Sequence, residues 1–165
     1  DALALYAIDL IAHNLVDVYK GRGTQESWEK ITLASTIGGM VINTAGVTLA
    51  HGMEHPASGL KDIVHGKGLA ALTPVIIEAS YKEDHFKFAK IARIFGGITA
   101  DDLAPKIRTL LKNLDLDVKL SDLGIEEKDI PWMAENCMKV SAASIANNPV
   151  VFTQEEIAEI YKKAM

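Results

Sequence analysis

Three of the chain's five histidines, His51, His55 and His65, lie within a single stretch of 15 residues. Imidazole is the commonest metal ligand among protein side chains and titrates near neutral pH, so this cluster is the best candidate for chemistry. On a helix, residues three and four positions apart share a face, which places His51, Glu54 and His55 together. A loop predicted at residues 56–59 would turn the chain back and return His65 to the same place. The spacing predicts a metal or catalytic site, with hydrogen-bonded core histidines as the alternative.

The first part of the cluster also matches the inverted zinc-peptidase motif His-x-x-Glu-His. In that motif the two histidines, here His51 and His55, bind zinc, and the glutamate, here Glu54, is the base for the attacking water. The motif fixes only three positions, leaves His65 unused and needs a further ligand that the sequence does not identify. A zinc metallopeptidase is therefore the second hypothesis.

Composition limits the class of protein. The 165 residues suit one domain, residues 1–165, with a substantial core. A net charge of −5 without clustered lysine and arginine predicts no nucleic-acid binding. The single cysteine, Cys137, excludes an internal disulfide, fits a reducing cytoplasm and is expected to be buried. Because the chain begins with Asp1 rather than Met, we expect it to derive from a longer protein.

The elements that position the histidines are predicted to be helices. Apolar residues recur at helical spacing, and no alternating β-branched run or Gly-x-Gly-x-x-Gly motif indicates a nucleotide-binding α/β domain. We predict an all-α bundle of about seven helices. The predicted helices cover residues 3–18, 24–53 with a break near 43–46, 65–81 with Pro74 inside, 86–95, 103–114, 130–144 and 154–164, and turns cover 120–129.

One segment has the length of a membrane span. Residues 31–50 contain no charged side chain, and about 20 apolar residues suffice to cross a bilayer. Several threonine, serine and asparagine residues make the segment only weakly apolar, and small residues such as Gly38 and Gly39 suit a central helix approached closely by its neighbours. The prediction is a buried helix of a soluble protein, with no membrane partner.

The histidine window resembles the iron-containing (group III) alcohol dehydrogenases. The resemblance rests on Ala50–Pro56 (Ala-His-Gly-Met-Glu-His-Pro), on His65-Gly66 and on Ala70, Leu72 and Pro74. Further matches cover nearly the whole chain: Asp1-Ala-Leu3, Ala7-Ile8, Gly124-Ile125, Asp129-Ile-Pro131, Asn148-Pro149 and Thr153–Ile157. The resemblance implies the C-terminal metal-binding domain of a two-domain enzyme with the dehydroquinate synthase-like fold, whose N-terminal nucleotide-binding domain is absent from this chain.

The resemblance also implies roles for the histidines. His51 and His65 match two metal ligands, and His55 matches the residue near the nicotinamide and substrate with a proton-relay role. The implied metal is iron(II), with zinc possible, and the implied dinucleotide is NAD or NADP bound by the missing domain. For Glu54 the resemblance implies no role, and a solvated or structural carboxylate is expected.

The sequence departs from the family pattern in three places. The family's other two metal ligands come from an Asp-x-x-x-His loop upstream of this chain. Asp9 and His13 imitate that loop, but the flanking residues align them with the following helix, where they are expected to pair on its surface. Many members also have Asn where this chain has Leu69, and Arg where it has Val150, so preferences for substrate and dinucleotide stay open.

The implied reaction is hydride transfer between a primary alcohol and its aldehyde, with the metal as a Lewis acid toward the substrate oxygen. We expect the isolated chain to be folded, weakly metal-binding and inactive, and the enzyme to form homodimers or higher homo-oligomers in the cytoplasm. A helical interaction module without enzymatic activity is the remaining alternative. A gene without an upstream nucleotide-binding segment would favour that alternative.

Overall fold

The computed structural model describes residues 1–165 and contains nine α-helices and no β-strand. The prediction of an all-α fold is confirmed. The count of about seven is too low because two predicted helices are each divided in two. The helices are α1 (Ala2–Tyr19), α2 (Gln25–Ala45), α3 (Leu49–Lys61), α4 (His65–Ser80), α5 (His85–Ile94), α6 (Leu103–Asn113), α7 (Ile130–Val140), α8 (Ala142–Ala146) and α9 (Gln154–Lys163). Four single turns of 3-10 helix cover Tyr81–Glu83, Ala100–Asp102, Ser121–Leu123 and Glu127–Asp129.

The helices form two compact units. The first unit comprises residues 1–46 and 85–115, with helices α1, α2, α5 and α6. The second unit comprises residues 47–84 and 116–165, with helices α3, α4, α7, α8 and α9. The histidine cluster belongs entirely to the second unit.

In the first unit, α1 and α2 pack through a small apolar cluster of Ala7, Leu10, Ala34 and Ile37. The predicted burial of residues 31–50 is wrong, since Met40 is 55% exposed and Ile42 is 50% exposed, and the buried residues of the stretch are Ala34, Ile37 and Leu49. The break predicted near residues 43–46 is present, because α2 ends at Ala45 and the following Gly46 has a φ of 73°, which favours glycine. By length and composition α1 could span a membrane, with a mean hydropathy of 1.3 and 17% of it buried, and α2 and α3 pass the same test only when taken together.

The second unit holds the larger core, to which α3, α4, α7 and α9 all contribute. Tyr161 of α9 is fully buried and donates a hydrogen bond of 2.5 Å to the carbonyl of Met53, itself fully buried on α3. Cys137 of α7 is buried as predicted, and burial raises the pKa of its thiol to about 11. Helix α3 is thus fixed against the core along the side that carries Met53.

The predicted loop at residues 56–59 is wrong, because α3 continues through Pro56 to Lys61. Proline has no N–H, so the carbonyl four residues earlier, that of Gly52, loses its helical partner. The hydroxyl of Ser141 donates to that carbonyl at 3.2 Å and replaces the missing bond. A Cβ on Gly52 would lie 3.1 Å from Cβ of Ser141, so a glycine there permits the approach.

The same serine explains why the predicted helix over 130–144 is divided. Ser141 leaves the helical conformation, with a ψ of 26°, and separates α7 from α8.

Because α3 continues to Lys61, the turn that reverses the chain lies at residues 62–64, where Asp62 adopts the left-handed conformation. Helix α4 then begins at His65, as predicted.

Candidate metal centre

The three histidines of the cluster meet at one place. His51 and His55 lie one turn apart on α3, and His65 is the first residue of α4. The ring centroid of His65 lies 5.2 Å from that of His51 and 5.7 Å from that of His55, and the two rings on α3 are 6.0 Å apart. The convergence predicted from the spacing is present, although the turn that produces it lies after residue 61.

Glu54, which was expected to be a solvated or structural carboxylate, has the most deeply buried side chain of the site residues. It is not solvated, because its side chain is fully buried beneath the histidines. One carboxylate oxygen accepts a hydrogen bond from the Ser58 hydroxyl, and the other contacts Nδ1 of His65. Gly68 lies against the carboxylate, where an added Cβ would come within 2.7 Å of its Oε1. The sequence offered only a weak indication of this contact, a glycine one turn into the following helix.

The degree of burial distinguishes His51 from the other two histidines. His51 is partly buried, whereas His55 and His65 are exposed. Burial lowers the pKa of His51, the nearby imidazoles of His65 and His55 lower it further, and the Glu54 carboxylate acts in the opposite direction. His51 is therefore held neutral, which is the form in which imidazole binds a metal.

The donors at this site fit a divalent transition metal. Nitrogen donors from imidazole, supplemented by carboxylate oxygen, are the common ligands of zinc and non-haem iron. Ligand atoms of Glu54, His55 and His65 lie within 4.8 Å of one another, and the His51 ring is next to that of His65. The exposed edges of His55 and His65 leave the site open on one side.

The Asp9–His13 pair lies elsewhere, on α1 of the first unit. Its side chains are 52% and 62% exposed, and their closest carboxylate-to-Nδ1 distance is 3.4 Å. Nδ1 of His13 also lies 2.9 Å from the backbone carbonyl of Asp9. No third histidine, cysteine or carboxylate joins them to complete a group of metal-ligating atoms. The pair is a local surface contact.

A family model described as the Fe-containing alcohol dehydrogenase family, C-terminal, matches residues 1–165. The chain belongs to this family. Family membership confirms the resemblance derived from the histidine window.

Individual relatives cover the whole chain as well. The 1,3-propanediol dehydrogenase of Klebsiella pneumoniae is 34% identical over 172 residues, spanning 99% of this chain and 44% of that protein. Alcohol dehydrogenase 4 of Saccharomyces cerevisiae (strain S288c) is 31% identical, with the same two coverages. The chain thus spans less than half the length of the relatives that it matches.

Solved structures agree with this assignment. An archaeal halo-thermophilic alcohol dehydrogenase from a Red Sea brine pool superposes with a TM-score of 0.93 at 31% identity, covering 100% of this chain and 44% of that one. A 1,3-propanediol oxidoreductase superposes with a TM-score of 0.92 at 33% identity, covering 100% of this chain and 45% of that one. The nine helices therefore have the fold of the C-terminal part of these enzymes.

Proposed function

We propose that residues 1–165 form the metal-binding part of an enzyme that transfers a hydride between a primary alcohol and NAD or NADP. The observation that carries this proposal is the convergence of His51, His55 and His65 in a chain of this family. Support comes from relatives named 1,3-propanediol dehydrogenase, alcohol dehydrogenase 4 and, at 27% identity in Escherichia coli, lactaldehyde reductase.

His51 and His65 are the residues proposed to hold the metal, iron(II) or alternatively zinc. They come from two different helices, their rings are the closest pair of the three, and burial keeps His51 neutral. When bound, the divalent ion supplies Lewis-acid polarisation of the substrate oxygen. His51 and His65 would hold the ion, and the exposed side chain of His65 leaves the site open to a small alcohol.

His55 is proposed to move the proton. Its ring is exposed and lies 5.7 Å from that of His65, so it borders the site and faces solvent. Oxidation of an alcohol releases the hydroxyl proton, and an imidazole at the boundary can accept that proton and pass it to water. Removal of a positioned general base typically costs about 10²- to 10⁴-fold in rate.

The dinucleotide site and the oligomeric state of the enzyme are also proposed. We place the dinucleotide site beyond these 165 residues, supported by the 44% of its relatives' length that the chain spans. Exposed aromatic and apolar side chains such as Tyr6, Trp28 and Met40 support self-association, since exposed apolar surface favours protein contacts. A homodimer or larger homo-oligomer is proposed on that basis. The proposed cytoplasmic location is supported by the single cysteine, Cys137, which forms no disulfide.

The test is alcohol-dependent reduction of NAD or NADP by the metal-loaded enzyme that contains these residues, with metal content measured in parallel. The variant His55→Asn should keep the metal and lose about 10²- to 10⁴-fold in kcat. The variant His51→Ala should lose both metal and activity. A His55→Asn enzyme with unchanged kcat would contradict the proton role, and an active His51→Ala enzyme would contradict the ligand role.

A further inference from the structure

We propose that Glu54 is a positioning residue: its buried carboxylate holds His65 in the tautomer whose Nε2 is left free to bind the metal. The inference rests on the proposed function, because it needs His65 to be a ligand. It assigns to Glu54 a task that neither the motif nor the family resemblance gives it.

The contact between His65 and Glu54 determines which ring nitrogen of His65 carries the hydrogen. A neutral imidazole has one N–H and one unprotonated nitrogen, and the partner of one nitrogen decides the state of the other. Nδ1 of His65 contacts Glu54, and a carboxylate can only accept, so Nδ1 carries the hydrogen. Nε2 is then the unprotonated nitrogen. Carboxylate–histidine–metal arrangements of this kind orient the ring and make the ligand more basic.

The groups around Glu54 fix its side chain from several directions. Glu54 is fully buried, and a buried charge is costly unless it is paired and hydrogen-bonded. The hydroxyl of Ser58, one turn later on α3, is shared between Oε1 of Glu54 and the carbonyl of Ile63 at 3.0 Å, while Oε2 of Glu54 contacts His65. Gly68 closes the space on the α4 side, with no room for a Cβ beside the carboxylate. The carboxylate therefore joins α3 to the first turn of α4 at the ligand.

A direct ligand role for Glu54 is the competing explanation, since its oxygen lies within 4.8 Å of donor atoms of His55 and His65. Both carboxylate oxygens, however, already have polar partners in the protein, the Ser58 hydroxyl at Oε1 and Nδ1 of His65 at Oε2. The side chain also lies fully beneath the histidines, whereas the open side of the site lies at His55 and His65. Positioning accounts for these contacts without breaking either of them.

The experiment uses the chain itself, with ¹⁵N-labelled histidine near pH 8. Long-range ¹H–¹⁵N spectra of the metal-free chain report the tautomer of His65, and zinc titration followed by the same spectra reports affinity even when binding is weak. In the unmodified chain we expect His65 to be protonated at Nδ1. The Glu54→Gln variant keeps the shape but replaces one oxygen by an NH₂ group. It should mix or invert the tautomer and weaken zinc binding by about 10- to 100-fold.

Two further variants keep the proposal falsifiable. Gly68→Ala retains the carboxylate but displaces it, and it should shift the His65 tautomer in the same direction as Glu54→Gln. Glu78→Gln, an exposed change on the same α4 helix, is the matched control and should change neither the tautomer nor zinc affinity. Helical circular dichroism and thermal melts establish that each variant is folded before the comparison.

The outcomes separate this inference from the proposed function. If Glu54→Gln lowers the melting temperature but leaves tautomer and zinc affinity within about twofold, the carboxylate is only structural and the positioning role is wrong. If X-ray absorption of the zinc-loaded chain shows an oxygen ligand that Glu54→Ala removes, Glu54 is a direct ligand and the positioning role is also wrong. If His65 is Nδ1-protonated but the unmodified chain binds no zinc, and the metal-loaded enzyme keeps its metal in His65→Ala, the ligand role of His65 in the proposed function fails and the Glu54–His65 contact alone is supported.

Discussion

Two pairs of residues in this chain have the same spacing, Asp9 with His13 on α1 and His51 with His55 on α3, and only the second pair is part of a candidate metal centre. On α1, the pair contacts itself and its own backbone on an exposed surface. On α3, the pair is met by a third imidazole from α4 and underlain by a buried carboxylate. One helical turn of spacing therefore places two side chains together, but a site requires groups from a second element.

The two pairs also differ in how firmly their side chains are held in place. Even a fully charged, exposed pair at i,i+4 on a helix contributes only about 0.3–0.5 kcal/mol, so the contact between Asp9 and His13 holds them in place only weakly. The α3 pair is carried by a helix whose opposite side is buried at Leu49 and Met53. Side chains on such a helix keep their positions without depending on contact with each other. Rigid support is what allows separate imidazoles to share one ion.

The largest expected effect comes from weakening the packing of α3 against the core. Met53→Ala should destabilise the chain by about 2–5 kcal/mol, because it leaves a cavity in the core beneath His51 and His55. It should also weaken zinc binding. Leu10→Ala, at the corresponding buried position beside Asp9 on α1, should likewise lower stability but leave zinc affinity unchanged. Denaturant unfolding and zinc titration of both variants test the comparison, which fails if the two variants affect zinc equally.

A smaller effect is expected where α3 passes through Pro56. Ser141→Ala removes the donor to the Gly52 carbonyl, and an unsatisfied buried carbonyl costs about 1–3 kcal/mol. Ser144→Ala is the matched control, since Ser144 also lies beside Gly52 but makes no such hydrogen bond. Urea unfolding measures both changes. Equal stability of the two variants would show that the carbonyl does not depend on Ser141.

The smallest effects are expected at two helix starts, one in each unit, where Asp102 and Asp129 each accept backbone hydrogen bonds. Hydrogen bonds from backbone and side chain of Thr99 and from the backbone of Ile98 lower the pKa of Asp102. The backbone of Glu126 lowers that of Asp129. A carboxylate whose folded pKa is lowered stabilises the fold above its unfolded value of 3.8 and loses this contribution as pH falls through the folded pKa.

Asp102→Asn and Asp129→Asn should therefore each lower the melting temperature slightly at pH 7. The difference from the unmodified chain should shrink as pH falls below 3.8. Thermal melts across pH 7 to 2.5 measure it. A difference that persists unchanged at the lowest pH would show that the carboxylate charge is not its source. Both variants should bind zinc with the affinity of the unmodified chain, because Asp102 and Asp129 stabilise helix starts and do not contact the histidines.

Local sequence patterns predicted most of the helices because their ends depend on neighbouring residues. Thr24 caps α2 through Ser27, Thr153 and Glu156 form the capping box of α9, and Gly46 ends α2 as expected. The convergence of the three histidines also followed from spacing along one helix and the start of the next. Each of these features involves residues close together in the sequence.

The features that were missed depend on distant partners. Pro56 suggested a loop, but Ser141, which lies 89 positions after Gly52, supplies the hydrogen bond to the Gly52 carbonyl that replaces the one Pro56 cannot donate. The uncharged stretch over residues 31–50 suggested burial, yet most of α2 lacks a covering partner within these 165 residues. The local pattern left Glu54 either solvated or structural, and only Gly68 on the next helix indicated its burial. Tertiary contacts of this kind override local patterns.

The most direct test of the account is calorimetric titration of zinc into the unmodified chain and into variants of both pairs. We expect weak one-to-one binding that is lost in His51→Ala and in His65→Ala and is unchanged in Asp9→Ala and His13→Ala. Sub-micromolar one-to-one binding that disappears in Asp9→Ala or His13→Ala, and survives in His51→Ala, would place the ion on α1 and contradict the account.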